Sequence, residues 1–375
     1  MHHRSDEATN RRGRGRLVAA STFAAALLVI AAYAAVSLAA GGGVATARAR
    51  ALAAEAAPTT IPVQTPLKAK PPTGKLLVIL GTSQPQNVQI QQELESLAGK
   101  AGWKTKELSY DPANTATLQS SFTTALSLHP NYIEEAGNTP TPTELSAMKS
   151  AGVKFAGIGI YPASPGTAPM IADADSFAND KPMGRIIADE FISLSNGKGN
   201  GVVVHVPAYP ILDSFTDGFY AEVKALCPGC KTTEVDVPIT DIANGTLDND
   251  VIAALQRDPS AKYVIFDDGP WADGFPQALQ KAGLSGLKIM GEASDADGIA
   301  GLKNGTETAW TGFQASFDSY EVMDAMFRDS EHMKIPYTAE DTQPTQLIIK
   351  ANAGSPNWGL PANALSQYEK LWHLG

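Results

Sequence analysis

Residues 75–110 read KLLVILGTSQPQNVQIQQELESLAGKAGWKTKELSY, and this stretch decides the fold. Leu76–Gly81 is an unbroken apolar run of strand length, closed by the turn-prone residues Thr82 to Gln86. Asn87–Ala101 then repeats apolar residues at helical spacing, and Lys104–Tyr110 reads as a second strand. Strand, crossover helix and second strand make one right-handed unit over a parallel sheet. The unit recurs: nine expected strands run from Leu76–Gly81 to Thr308–Phe313, with helical segments between them from Asn87–Ala101 to Pro270–Ala282. Nine exceed one comfortable sheet of this kind, so the pattern predicts two.

The break falls after Ile160, where Pro162, Pro165, Pro169 and residues 173–176 interrupt the rhythm until it restarts at Pro182. A return crossing is expected near Gln314, followed by a helix over Ser316–Asp329 and a last strand over Gln346–Ala351. The expected fold class is α/β, with two Rossmann-like lobes of parallel strands. Residues 75–174 plus 315–342 would form the amino-terminal lobe, and 175–314 plus 343–375 the carboxyl-terminal lobe. Its apolar tail, with Trp358, Tyr368, Leu371 and Trp372, is expected to pack back as a terminal helix. In open parallel sheets ligands gather at the carboxyl ends of strands, so two facing lobes make one cleft.

Outside this region the chain reads differently. Residues 1–57 are basic at the start and then apolar: Leu17 to Ala40 carries no charge and is long enough to span a bilayer. Ala45-Thr-Ala47 and Ala47-Arg-Ala49 resemble signal-peptidase sites, so cleavage and retention as an anchor both stay open. Arg11-Arg12 reads as an ordinary basic flank rather than a twin-arginine signal. No cysteine follows the apolar run, which excludes a lipid anchor, and the positive end inside puts residues from about 58 onward outside the cytoplasm. Residues 58–74, PTTIPVQTPLKAKPPTG, hold five prolines and read as an extended spacer. From Pro58 onward 22 basic residues face 36 acidic ones, a net of −14 that excludes a nucleic-acid partner held through phosphates.

Residues 75–351 resemble the sugar-type solute-binding proteins of bacterial ATP-binding-cassette importers, the group that includes ribose-binding protein. Leu76-Leu-Val-Ile-Leu-Gly-Thr-Ser-Gln-Pro85 is similar to the family's first strand and ligand loop, and Gly152-Val-Lys-Phe-Ala-Gly-Ile-Gly-Ile160 to its central strand. Asp213-Ser-Phe-Thr-Asp-Gly-Phe219 resembles a helix with an acidic-Gly-Phe step. Lys262-Tyr-Val-Ile-Phe-Asp-Asp268 and Leu287-Lys-Ile-Met-Gly291 resemble strands that lead into contact loops. The resemblance implies the type 1 periplasmic-binding-protein fold, with three crossovers forming a hinge that bends shut over a solute.

Matching phrase to phrase, the resemblance implies ligand contacts from Thr82, Gln84 and Gln86 on the first loop, Asn138 after the third strand and Tyr161 after the fourth. In the second lobe it implies Tyr209, Phe215, Asp267, Asp268, Trp271, Glu292 and Asp295, with Gln314 at the hinge. Amides and carboxylates hydrogen-bond hydroxyls, and flat rings cover a sugar-like face. The family's acidic-basic pair after the fourth strand is here Ile160-Tyr161, and Phe215 stands where members that grip ribose place arginine. The lost guanidinium forks point away from a simple pentose or hexose and from an anion. Asp267, Asp268, Glu292 and Asp295 would also suit an amine. Each residue has a plainer reading: Asp267, Asp268 and Asp295 as caps of the helices that follow, and Tyr209, Phe215 and Trp271 as core.

Other features carry no chemistry. Cys227-Pro-Gly-Cys230 has redox spacing but ends a helix instead of opening one, so it reads as a structural disulfide. Glu134 and Glu135 are adjacent and point to opposite faces of a strand. Gly157-Ile-Gly159 lacks the third glycine of a dinucleotide loop, and no metal or cofactor is expected. The expected protein is a monomeric binding protein that hands a sugar, polyol or similar solute to a membrane permease. A membrane-anchored receptor domain and an exported α/β enzyme are the alternatives, the latter without a recognisable nucleophile and base.

Overall fold

Leu77, Val78 and Ile79 are fully buried because strand β1 (Leu76–Gly81) pairs in parallel on both edges, with β2 (Lys104–Ser109) and with β3 (Tyr132–Ala136). A strand covered on both faces needs apolar residues throughout, which is why the first strand does not alternate. The edge strand β2, KTKELS, is instead polar and mostly exposed, with Leu108 its single apolar residue. With β4 (Lys154–Ile158) and β5 (Met170–Ala174) these form a five-stranded sheet of order β2-β1-β3-β4-β5. The second sheet contains β6 (Asn200–His205), β7 (Lys231–Asp236), β8 (Tyr263–Phe266), β9 (Lys288–Ser294), β10 (Ala309–Gly312) and β11 (Leu347–Ile349). Its order is β11-β10-β9-β8-β6-β7, parallel except for the last pairing of β11 with β10.

The computed structural model describes residues 42–312, 314–337, 343–355 and 358–375. Leu17–Ala40 and Arg11-Arg12, on which the export expectation rests, lie outside the described residues, as does Phe313. Among the described residues no helix is long and apolar enough to cross a membrane.

The helices are α1 (residues 42–54), α2 (Pro85–Lys100), α3 (Thr115–Ser127), α4 (Pro142–Ala151), α5 (Phe177–Ser195) and α6 (Asp213–Leu226). They continue with α7 (Ile239–Ala243), α8 (Leu247–Arg257), α9 (Phe275–Lys281), α10 (Ala296–Asn304), α11 (Ala315–Ser330) and α12 (Ala364–Leu371). Helices α5 and α6 cross closely in the second lobe: a Cβ on Gly184 would lie 2.0 Å from the Phe215 carbonyl oxygen, and one on Gly218 2.2 Å from that of Lys181. Glycine is the only residue that permits the approach. Helix α11 returns to the first lobe, where Phe317, Val322, Met323 and Phe327 join the core of β1 and α2.

Several expectations need correction. The proline-rich stretch after Ile160 hides the edge strand β5, because five residues between turns are too few to show a period. Helix α5 begins at Phe177 rather than Pro182, and the proline sits in its second turn. Residues 58–74 are not a free spacer. Ile61, Val63 and Leu67 are buried in the first-lobe core, and the Thr65 carbonyl accepts from Arg328 Nη2 at 2.7 Å. The suggested cleavage sites lie inside α1, whose Ala47 and Ala51 are buried against Phe191 and Phe219 of the second lobe, and whose Arg50 pairs with Glu222. The tail helix forms, but it packs on the first lobe and not the second: Tyr368 and Trp372 are fully buried with Phe317 and Phe327, and Glu369 pairs with Lys100. Large rings go where a matching hydrophobic surface is open, and chain order alone does not say which lobe offers it. Cys227 and Cys230 are bonded, closing the turn after α6.

Candidate ligand-binding cleft

The carboxyl ends of both sheets face a shared cavity of about 280 Å³. From the first lobe, Gln84 stands at the start of α2, Gln86 and Asn87 lie in its first turn, and Gly137 and Ile158 end β3 and β4. Pro85 sets that helix start, since its missing N–H is not needed there. From the second lobe come Asp180 and Met183 on α5, Tyr209 and Ile211 after β6, Asp268 and Trp271 after β8, and Glu292 on β9. Gly137 has φ 94°, and a Cβ there would meet the Tyr209 ring at 3.4 Å, so the first lobe turns back directly under that ring.

Two hydrogen-bonded clasps join the lobes across the cavity. Gln84 Nε2 donates to the Tyr209 hydroxyl at 2.9 Å, and the hydroxyl lies 3.2 Å from Gln84 Oε1. Gln86 Nε2 donates to Asp268 Oδ1 at 3.2 Å. Tyr209 stacks near Trp271, with centroids 6.3 Å apart and planes 17° apart. The lobes are therefore closed over the cavity.

Its electrostatics are one-sided. Asp175, Asp180, Asp268, Asp273 and Glu292 line it, and among the described residues no lysine, arginine or histidine does. Burial pushes the carboxyls of Asp180, Asp268 and Glu292 well above the usual range, and mutual repulsion adds to the shift. Asp175 is raised by burial, against a hydrogen bond from Asn179, and it also shares a hydrogen bond with Asp180. Burial, with repulsion from Asp295 and Asp297, raises Asp273 to about 7. Glu292 is only 2% exposed, and its Oε2 has no hydrogen-bond partner.

The structure sorts the expected contacts. Gln84, Gln86, Tyr209, Asp268, Trp271 and Glu292 line the cavity together. The others do not, each for a local reason. Thr82 faces a separate surface recess beside Glu107 and Tyr110. Asn138 is held by Tyr110 and Glu135, and Tyr161 stacks on Phe177 with centroids 4.0 Å apart. Phe215 is fully buried in the second-lobe core. Asp267 accepts from the Val206 amide at 2.7 Å and lies 2.9 Å from His205 Nδ1, whose other nitrogen faces Asp213 at 3.1 Å. Burial is the largest single effect and works against protonation of that imidazole, but the Asp267 hydrogen bond and the charges of Asp267, Asp213 and Glu234 together outweigh it and raise its pKa. Asp295 caps α10 through the amides of Asp297 and Gly298. Gln314 donates to the Trp358 carbonyl at 2.9 Å, tying the crossing to the tail. Asp175, Asp180 and Met183 were not expected in the cavity. Three acids among residues 173–180, at a crossing between lobes, were the available signal.

No protein-family model matches the sequence, and no curated protein matches it. Solved structures do resemble the fold. A solute-binding protein of an ABC transporter from Burkholderia graminis, in complex with D-arabinose, is 18% identical with a TM-score of 0.64, covering 77% of this chain and 99% of that one. One from Agrobacterium vitis, bound with alpha-D-tagatopyranose, is 18% identical with a TM-score of 0.63, over 76% and 97%. A LacI-type transcriptional regulator from Bacteroides fragilis is 15% identical with a TM-score of 0.62, over 75% and 98%. The chain thus has the two-lobed α/β fold of type 1 periplasmic binding proteins.

Proposed function

We propose that this chain is an extracytoplasmic solute-binding protein that captures a small hydroxylated solute between its lobes and presents the closed form to the permease of an ABC importer. The observation that carries the reading is the cavity at the carboxyl ends of both sheets, bridged by Gln84–Tyr209 and Gln86–Asp268. Contacts from both lobes exist together only in the closed form, so a solute favours closure through its differential affinity. A micromolar dissociation constant would correspond to about −8 kcal/mol, within reach of several hydrogen bonds and one ring contact. Grasping and release need no bond to be made or broken, and the protein is read as a non-enzyme that acts as a monomer. The fold is also that of a regulator; the basic and apolar residues 1–40 favour export over DNA binding. Ala47 buried inside α1 favours retention of the preceding segment, since cutting at Ala47 or Ala49 would strip half of that helix from the second lobe.

A thermal-shift screen of the purified chain against sugars, polyols and amines tests the reading, because a ligand of the native state raises Tm. A hit should also shrink the radius of gyration in solution scattering. Steady consumption of a hit by the protein would refute a binding role.

A further inference from the structure

The cleft pairs a hydroxyl-compatible rim with a floor of acids that no lysine, arginine or histidine among the described residues lining it neutralises. Asp180 and Met183 come from the first two turns of α5, Asp268 from the end of β8, and Glu292 from β9, so three separate elements aim carboxyls at one space. Gln86 satisfies one oxygen of Asp268, and Asp175 and Asp180 share a hydrogen bond. Glu292 Oε2 is left with no partner although the residue is 98% buried. A buried polar atom without a partner is costly, and Glu292 is the one carboxylate among the described cavity-lining residues left with such an atom. Cavities built for neutral sugars or anions need donors, yet the donors here are the amides of Gln84, Gln86 and Asn87, the Tyr209 hydroxyl and the unpartnered Trp271 Nε1. The amides of Gln84, Gln86 and Asn87 stand on the first-lobe side, where Gln84 is engaged with Tyr209 and Gln86 with Asp268, and none of them bonds Glu292 Oε2.

On the solute-binding reading above, we infer that the solute carries a protonated amine, seated against Glu292 and Asp268, with its uncharged remainder lying beside Trp271 and Tyr209 and toward the glutamines. An ammonium supplies three donors, and its positive charge favours ionisation of the buried carboxyls that burial otherwise keeps protonated. The rings can add a cation–π contact. The apolar residues Ile90, Ile211 and Leu212 allow a body that is only partly hydroxylated. A carboxylate or phosphate on the solute would find no countercharge among the described residues that line the cavity.

The test uses matched pairs that differ in one ammonium: D-glucosamine against D-glucose, and 1-amino-1-deoxy-D-sorbitol against D-sorbitol. A broader set of aliphatic and aromatic amines is run beside their neutral alcohols. Calorimetric titration of the full chain at pH 7 should give amines at least ten-fold tighter binding than their neutral partners. Glu292→Gln should cut that preference about ten-fold while the protein stays folded, and Glu292→Asp should restore part of it. Neutral partners binding as tightly as the amines, or a preference unchanged in Glu292→Gln, would overturn the inference and leave solute binding intact. No response to any solute, charged or neutral, would overturn both.

Discussion

Two groups of buried acids sit on opposite sides of the hinge, and they are treated in opposite ways. Behind it, Asp324 of α11 is fully buried but saturated: Arg328 reaches both its oxygens, the Tyr337 hydroxyl donates to Oδ2 at 2.8 Å, and Trp372 Nε1 donates to Oδ1 at 2.8 Å. Arg328 also binds the Thr65 carbonyl, so one ion pair gathers α11, the tail and residues 58–74 into a single knot. In front, Asp180, Asp268 and Glu292 are also buried, and no cation among the described residues lines their cavity. A buried charge that is fully paired holds structure together; one left unpaired costs stability and is informative about function.

The largest expected effect comes from breaking the knot. Asp324→Ala strands the Arg328 charge and two donors, and should cost about 3–5 kcal/mol of stability by denaturant unfolding. A loss below about 1 kcal/mol would erase the contrast between the two sides. Next, Leu67→Ala in the strap should cost about 2–4 kcal/mol if residues 58–74 are core as described, whereas a free spacer would lose nothing. On the cleft side the sign reverses. Glu292→Gln removes a carboxyl whose ionisation burial opposes, and should raise the stability of the unliganded protein by about 1 kcal/mol at pH 8. The same variant sharpens the pH dependence. Acids raised in the folded state hold protons that the unfolded chain releases above about pH 4. That stability is present below pH 4 and lost as pH rises through the raised values. The Tm of the unliganded protein should therefore fall between about pH 5 and pH 8, and fall less steeply in Glu292→Gln. The smallest effect belongs to Tyr209→Phe, which removes one clasp worth about 1 kcal/mol. It should widen the unliganded scattering profile while leaving Tm within a degree or two.

Much of the fold was legible from residue 75 onward because strand and helix periods are local. Leu76–Gly81, Tyr132–Ala136 and Tyr263–Asp267 read as buried strands from six or fewer letters each, the last ending one residue earlier in the structure, at Phe266. The cleft was legible in part. Gln84, Gln86 and Asp268 follow strand ends, where a parallel sheet presents its loops, and Glu292 lies near the carboxyl end of β9. Asp267 and Asp268 show the limit: neighbours in sequence, one serves His205 and the Val206 amide and the other the cavity, because successive side chains at a strand end point to opposite sides. Phe215 failed for a related reason. Whether a ring faces ligand or core depends on the Gly184–Gly218 crossing of two helices, which no single segment encodes.

By itself the sequence determined the alternation of strand and helix, the division into two sheets and the acidic balance of the chain, since each depends on residues within one turn or one strand of each other. Only the tertiary structure decided which acids are neutralised and which are not, and which lobe receives the strap and the tail. Those outcomes depend on contacts between residues such as Thr65, Asp324 and Trp372, or Gln86 and Asp268, that lie far apart along the chain and meet only when both lobes have formed and closed.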